Sequence, residues 1–279
     1  MKTGMNLLLW TTNVNQDTFP LISKLGETGF DGVEIPVGAG NEAQYAVVRN
    51  ELDRLGMGCT TVTSLDPATN PISPDNGIRD AALERLKWAI NMTAACGGEV
   101  MCGPFHSAFK TFAGRGPTED EKKWGADVLR KAAEYAASVN VQLCVEFINR
   151  FECYFLNTVA DTKSFVQIVD HPNMKMLYDT HHSHIEEKSI SNALLSCADI
   201  LGHFHIAEND RGTPGKGQVN WVETFKMLKE IKYDNWLVIE SFSADVPDFA
   251  AGINVWRNYA SSREEIAEDG LKFIKKMWG

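Results

Sequence analysis

Long apolar runs are missing from this chain. The one near the start, within MKTGMNLLLWTTNV (1–14), is too short for a membrane span or a signal-peptide core and carries no cleavage site. A cytoplasmic protein with no membrane partner is therefore expected. Positive charge is also scarce. Lys and Arg number 27 against 37 Asp and Glu, a net charge of −10 at pH 7. No basic run is interleaved with aromatics, so no nucleic-acid partner is expected. The six cysteines, Cys59, Cys96, Cys102, Cys144, Cys153 and Cys197, form no C-x-x-C pair. Several lie in apolar runs, which suits buried free thiols in a reducing compartment. No G-x-G-x-x-G follows the first β-rich run, and no linker or low-complexity segment interrupts the chain.

What is present is a repeat of alternating periods. Hydrophobic residues make up 44% of the 279, enough for one large core. Short apolar runs at 5–10, 32–36, 59–64, 99–103, 141–147, 174–179, 202–207 and 236–241 read as strands buried on both faces. Helical patterns separate them, at 19–29, 43–55, 78–96, 120–139, 162–169, 191–197, 221–231 and 263–277. Thr118 with Glu121, and Ser261 with Glu264, read as capping boxes. Eight β/α alternations without a break predict one α/β domain over 1–279, a (β/α)8 TIM barrel. The segments 64–76, 105–117 and 208–220 are long enough to be loops over a site.

In such a barrel the strand C-termini face the active site. The last four runs end in Glu146, Asp179, His205 and Glu240, and the second contains Glu34. A charge at the end of an apolar strand is costly unless paired or coordinated. Three carboxylates pressed together raise one another's pKa unless a cation neutralises them. Three oxygen ligands and one imidazole fit one divalent metal, Mn2+ best, with Co2+ or Mg2+ as alternatives. An ion-pair network is the competing explanation, although none of these strand ends carries a Lys or Arg. His203 shares a face with His205 and reads as a satisfied interior histidine. In the dense cluster 181–184, His182 is the candidate for substrate contact. Arg211 is a candidate substrate clamp, and His106, in the 105–117 loop, a further substrate contact. The segment GTPGKG (212–217) is not a phosphate loop, because Gln218 follows where a Walker motif continues differently.

Around these positions the chain resembles the ketose 3-epimerases of the D-tagatose/D-psicose/L-ribulose type, within the xylose-isomerase-like sugar isomerase and epimerase barrels. The resembling segments are LCVEFINRFE (143–152), LYDTHHSHIEE (177–187), GHFHIAENDRGTPGKG (202–217) and VIESF (238–242), with GFDGVEI (29–35) and VWRN (255–258). The resemblance implies metal ligation by Glu146, Asp179, His205 and Glu240, with Glu146 and Glu240 doubling as acid/base groups. It implies substrate contacts at Glu152, His182 and Arg211, a sugar substrate, Mn2+ or Co2+ as metal, and a homo-oligomer, dimer or tetramer.

The reaction implied is ketose 3-epimerisation. The C3 proton is removed from one face, a metal-stabilised enediolate forms, and a proton returns to the other face. The same equipment could drive β-elimination from a 3-keto-glycoside, as a lyase or deglycosidase, or aldose–ketose isomerisation. The chain departs from the tagatose and psicose enzymes in three places. They carry aromatics near the start where this chain has Asn6-Leu7-Leu8-Leu9, and their D-T-F-H-M-N-I-E-E is here 179–187, DTHHSHIEE. CGPFHSAF (102–109) also differs.

Overall fold

Period-two alternation in eight short strands decides the architecture. In the computed structural model, which describes residues 1–279, these are β1 (Lys2–Asn6), β2 (Gly32–Pro36), β3 (Gly58–Val62), β4 (Val100–Gly103), β5 (Gln142–Glu146), β6 (Met174–Asp179), β7 (Leu201–Ile206) and β8 (Trp236–Ile239). Each pairs in parallel with the next, and β1 closes on β8. The expected (β/α)8 barrel is the one observed. Outward residues such as Met5, Val33, Met101, Val145, Tyr178, Phe204 and Leu237 are buried in one continuous layer beneath the helices. The inward set is smaller and more polar: Val62, Val100, Cys102, Cys144 and Leu177 form a separate interior cluster.

The surrounding helices are α1 (Phe19–Thr28), α2 (Glu42–Leu55), α3 (Asn76–Ala95), α4 (Glu119–Ser138), α5 (Val159–Val169), α6 (Thr180–Glu186), α7 (Ile190–Cys197), α8 (Trp221–Glu230), α9 (Pro247–Gly252) and α10 (Arg263–Trp278). Local chemistry sets their ends. The Thr118–Glu121 capping box opens α4, and Gly56, at φ 66°, ends α2. No helix is long and apolar enough to cross a membrane. All six cysteines are buried and free.

The structure corrects two local expectations and adds two helices. The first strand is Lys2–Asn6, not 5–10. Asn6 breaks the run by accepting the Leu8 N–H at 2.8 Å, which turns Leu7–Leu9 into a 3-10 helix. An apolar run alone does not separate strand from turn. The α10 cap is Ser262, which accepts the Glu265 N–H at 3.0 Å, one residue beyond the expected pair. The histidine cluster 181–184 lies on α6, capped by Asp179, whose Oδ1 accepts the His181 N–H at 2.6 Å. Helix α9, between β8 and α10, was not anticipated.

The N-terminal end of the barrel is closed by one indole. Trp236 is buried, and Gly4, Gly32 and Gly58 leave the space it fills. A Cβ at Gly32 would lie 2.6 Å from the Trp236 ring and 2.3 Å from the Gly58 carbonyl oxygen, which is backbone and cannot step aside. Gly32→Ala is therefore expected to cost about 3 kcal/mol or more, read as a lower urea midpoint. A midpoint equal to that of the parent protein would contradict this packing.

Candidate metal centre and active site

At the other end, inward positions carry charge instead of glycine. Glu146 ends β5, Asp179 ends β6, His205 lies on β7 and Glu240 follows β8. All four are buried, and one ligand atom from each lies within 4.8 Å of the others. His205 Nδ1 is 3.5 Å from Glu240 Oε1 and 3.7 Å from Asp179 Oδ2. The sequence offered no cation at these strand ends, but the loop after β7 supplies one. Arg211 Nη1 is 2.6 Å from Asp179 Oδ2 and 2.8 Å from Glu240 Oε2. The ion-pair alternative is thus present in part. One guanidinium faces three carboxylates, so the cluster retains an excess of acidic groups that a bound cation could neutralise.

The titration tendencies reflect that deficit. Burial and the neighbouring Glu240 push Glu146 well above the usual carboxylate range. Burial also acts to raise Asp179, but Arg211 and the nearby imidazoles hold it well below. For His205, burial favours the neutral ring, yet Glu34 and Glu240 hold it well above the ordinary histidine range. The surroundings of Nδ1 therefore favour positive charge, whether a proton or a metal ion. The donor set fits such an ion. His205 Nδ1 is buried with no hydrogen-bond partner, while Nε2 of the same ring is 2.8 Å from Glu34 Oε1. A carboxylate behind an imidazole holds the Nε2–H tautomer and turns the Nδ1 lone pair towards the carboxylates.

Glu146 and Glu240 of the cluster line a cavity of about 930 Å³, while Asp179 and His205 lie behind its surface. Glu146, Glu152, His182, Arg211 and Glu240 all line it, so five of the expected site residues share one space. His182 Nδ1 accepts the Asn149 backbone N–H at 3.1 Å. Its Nε2 is 3.5 Å from Glu146 Oε1 and 3.0 Å from Arg211 Nη2. Burial keeps this ring neutral. Glu152 accepts from Asn149 Nδ2 at 3.0 Å, and burial raises its carboxyl. The opposite wall comes from Val37, Leu65, Phe109, Phe249 and Ile253 with Thr63, Asp66 and Arg85. Lys110 Nζ donates to the Gly252 carbonyl at 2.6 Å, joining the 105–117 loop to α9 above this wall.

His106 is not brought to the site. It is fully buried beside Phe155, with ring centroids 5.8 Å apart, and does not line the cavity. Burial lowers it to about 3, so it is neutral. Its neighbours Pro104 and Phe109 reach the cavity instead. His203 is an interior histidine, with Nε2 2.8 Å from Glu34 Oε2.

The 208–220 loop is built around a buried carboxylate. Glu208 accepts from the backbone N–H groups of Asn209, Gly215 and Val219 and from Trp221 Nε1, at 2.8–3.1 Å. An acceptor at its centre makes the loop a poor phosphate cradle, in line with the sequence reading. It holds Arg211 at φ 63°, a left-handed conformation uncommon for a non-glycine residue, with the side chain over Phe242.

Two participants escaped the sequence reading. Glu34 was noted but given no role. Asn6 was not singled out as a site residue, although its Nδ2 is 2.9 Å from Glu34 Oε1 and 3.1 Å from Glu240 Oε1. Strand-end logic applied to β1 would have found it, had the strand been ended at Asn6.

Known proteins are similar to this one over nearly the whole chain. The sequence profile described as "Xylose isomerase-like TIM barrel" matches residues 22–277. The ketose 3-epimerase of Arthrobacter globiformis is 30% identical over 278 residues, covering 99% of this chain and 96% of that protein. The D-psicose 3-epimerase of Ruminiclostridium cellulolyticum is 31% identical over 275 residues, covering 95% and 92%. Among solved structures, D-allulose 3-epimerase from Methylomonas sp. in complex with D-allulose superposes with a TM-score of 0.92 at 28% identity, covering 99% of this chain and 97% of that one. With a matching profile, a matching barrel and full-length relatives, the chain belongs to the xylose isomerase-like TIM barrel family.

Proposed function

We propose that this protein is a metal-dependent ketose 3-epimerase. The observation that carries the reading is the pairing of two buried glutamates, from β5 and from the end of β8, within one ligand cluster that opens on a cavity. Full-length similarity to ketose and D-psicose 3-epimerases supports it. Glu146, Asp179, His205 and Glu240 would hold one divalent ion, Mn2+ by the ligand chemistry. Bound there, the ion supplies Lewis-acid stabilisation of negative charge on substrate oxygens.

The chain's own residues do the rest. Glu146 and Glu240 stand three strands apart on the rim. One takes the C3 proton as a carboxylate, and the other, in its acid form, returns a proton to the opposite face. The roles exchange for the reverse reaction, so no proton is gained or lost overall. Arg211, whose guanidinium is permanently charged, orients substrate oxygens from the Asp179–Glu240 side. His182, neutral and anchored by Asn149, and Glu152 complete the polar wall that positions C1–C3.

Incubation of Mn2+-loaded protein with a panel of ketoses in D2O should place deuterium at C3 and yield a C3 epimer. Aglycone release from a 3-keto-glycoside, with no ketose exchange, would instead indicate a lyase. Aldose formation would indicate an isomerase. Glu146→Gln and Glu240→Gln should each lower kcat by about 10²–10⁴-fold with the circular dichroism spectrum retained; unchanged turnover in either would sink the mechanism. Stripping metal with a chelator should abolish turnover and lower the melting temperature, and Mn2+ should restore both. At about 100-fold excess over Kd the bound ion contributes about 2.7 kcal/mol.

A further inference from the structure

Directly beneath the cluster lies a second buried layer: Asn6, Glu34, Thr60, Cys102 and His203. Ligand atoms of Glu34, Cys102, His203 and His205 fall within 4.8 Å of one another, a spacing that invites a second metal ion. Hydrogen bonding speaks against one. Glu34 Oε1 accepts from His205 Nε2 at 2.8 Å and Asn6 Nδ2 at 2.9 Å. Glu34 Oε2 accepts from His203 Nε2 at 2.8 Å, Thr60 Oγ1 at 2.8 Å and the Cys102 thiol at 3.2 Å. Five donors saturate a group with about four lone-pair sites. The unpartnered nitrogens of both imidazoles are the Nδ1 atoms, at the other position of each ring. Nothing unsatisfied points into the layer, so it orients groups rather than binding an ion.

What it orients is visible at Asn6. Its Oδ1 accepts the Leu8 N–H at 2.8 Å, which prevents the amide from flipping. Nδ2 must then face the carboxylates, and it has one hydrogen for each: Glu34 Oε1 at 2.9 Å and Glu240 Oε1 at 3.1 Å. The bridge fixes the rotation of the Glu240 carboxylate. Arg211 Nη1, 2.8 Å from the other oxygen, Oε2, grips the same carboxylate from the cavity side.

We infer that Asn6 is a positioning residue for proton transfer: its amide bridges Glu34 Oε1 and Glu240 Oε1 and fixes the orientation of the Glu240 carboxylate, while Glu34 anchors Asn6 and fixes the His205 tautomer. The inference rests on Glu240 being one of the two acid/base groups. In the step concerned, the C3–H bond breaks and an O–H bond forms on the Glu240 carboxylate. The electron pair left on carbon spreads onto the adjacent carbonyl oxygen, and the return step reverses each change.

The test compares Asn6→Leu, Asn6→Ala and Glu34→Gln with the parent protein, using calorimetric Mn2+ binding and epimerisation kinetics. Both Asn6 variants lose the donor, so both should lose kcat by about 10–100-fold while KM and Mn2+ affinity stay within about threefold. A packing role would spare the near-isosteric Leu and penalise Ala, and that outcome would overturn the inference. So would an unchanged kcat in either folded variant. Should Leu prevent folding, Ala carries the kinetic test. Glu34→Gln cannot accept from both imidazoles and should weaken Mn2+ binding by about 10–100-fold. Parent-like Mn2+ affinity would remove Glu34 from the scheme. The binding arm needs no substrate. If the parent protein exchanges no C3 hydrogen with any ketose, the epimerase reading fails, and the loss or retention of Mn2+ affinity still judges the layer.

Discussion

Three carboxylates buried within a few ångströms of one another are the constraint around which the upper half of this barrel is organised. Glu146, Asp179 and Glu240 cannot all ionise there unaided, as the upward push on Glu146 shows. The fold answers from several directions. Arg211 is swung in from the loop after β7 on a left-handed backbone, and that loop is itself tied around Glu208. Asp179 gives one oxygen to the N-terminus of α6 and keeps the other for the centre. His205 turns a free nitrogen towards the same point because Glu34 holds its other one. What results is a candidate site for a cation.

The two ends of the barrel divide the work. Below, glycines on β1, β2 and β3 make room for Trp236, and the demand on the strands is chiefly for volume. Above, the same inward positions carry Asn6, Glu34, Thr60, Cys102, Glu146, Asp179 and His205, and the demand is for hydrogen bonds and charge. Between them the saturated Glu34 carboxylate acts as a floor. Because every one of its acceptor sites is taken, it passes orientation upward to His205 and to Asn6 without competing for the cation.

Much of this was legible in the chain itself, for a physical reason. A charged or ligating group ending an apolar strand is expensive enough to mark a site, and three carboxylates and one imidazole on four consecutive strands are the residues that converge here. The barrel was legible because eight buried strands leave eight apolar runs. The rest hid where that logic weakens. Asn6 sits beside three leucines, of which Leu7 and Leu9 are buried like strand residues, so the 3-10 turn was invisible and its cap went unread. The helix α6 was masked by a polar histidine cluster whose cap is a site residue. His106 looked functional because its loop is near the mouth, but its ring turns inward against Phe155. Which way a loop side chain points depends on packing that no local pattern encodes.

The claim at the centre is that the cluster exchanges protons for a cation. In the apo protein Glu146 is pushed towards its acid form and His205 towards its charged form, and both must yield to a bound ion. Calorimetric titration of the apo protein with Mn2+ at pH 7, repeated in buffers of different ionisation enthalpy, counts the protons released. The account predicts saturable 1:1 binding with release of about one to two protons per ion. Binding with no proton release, or no saturable binding at all, would contradict it.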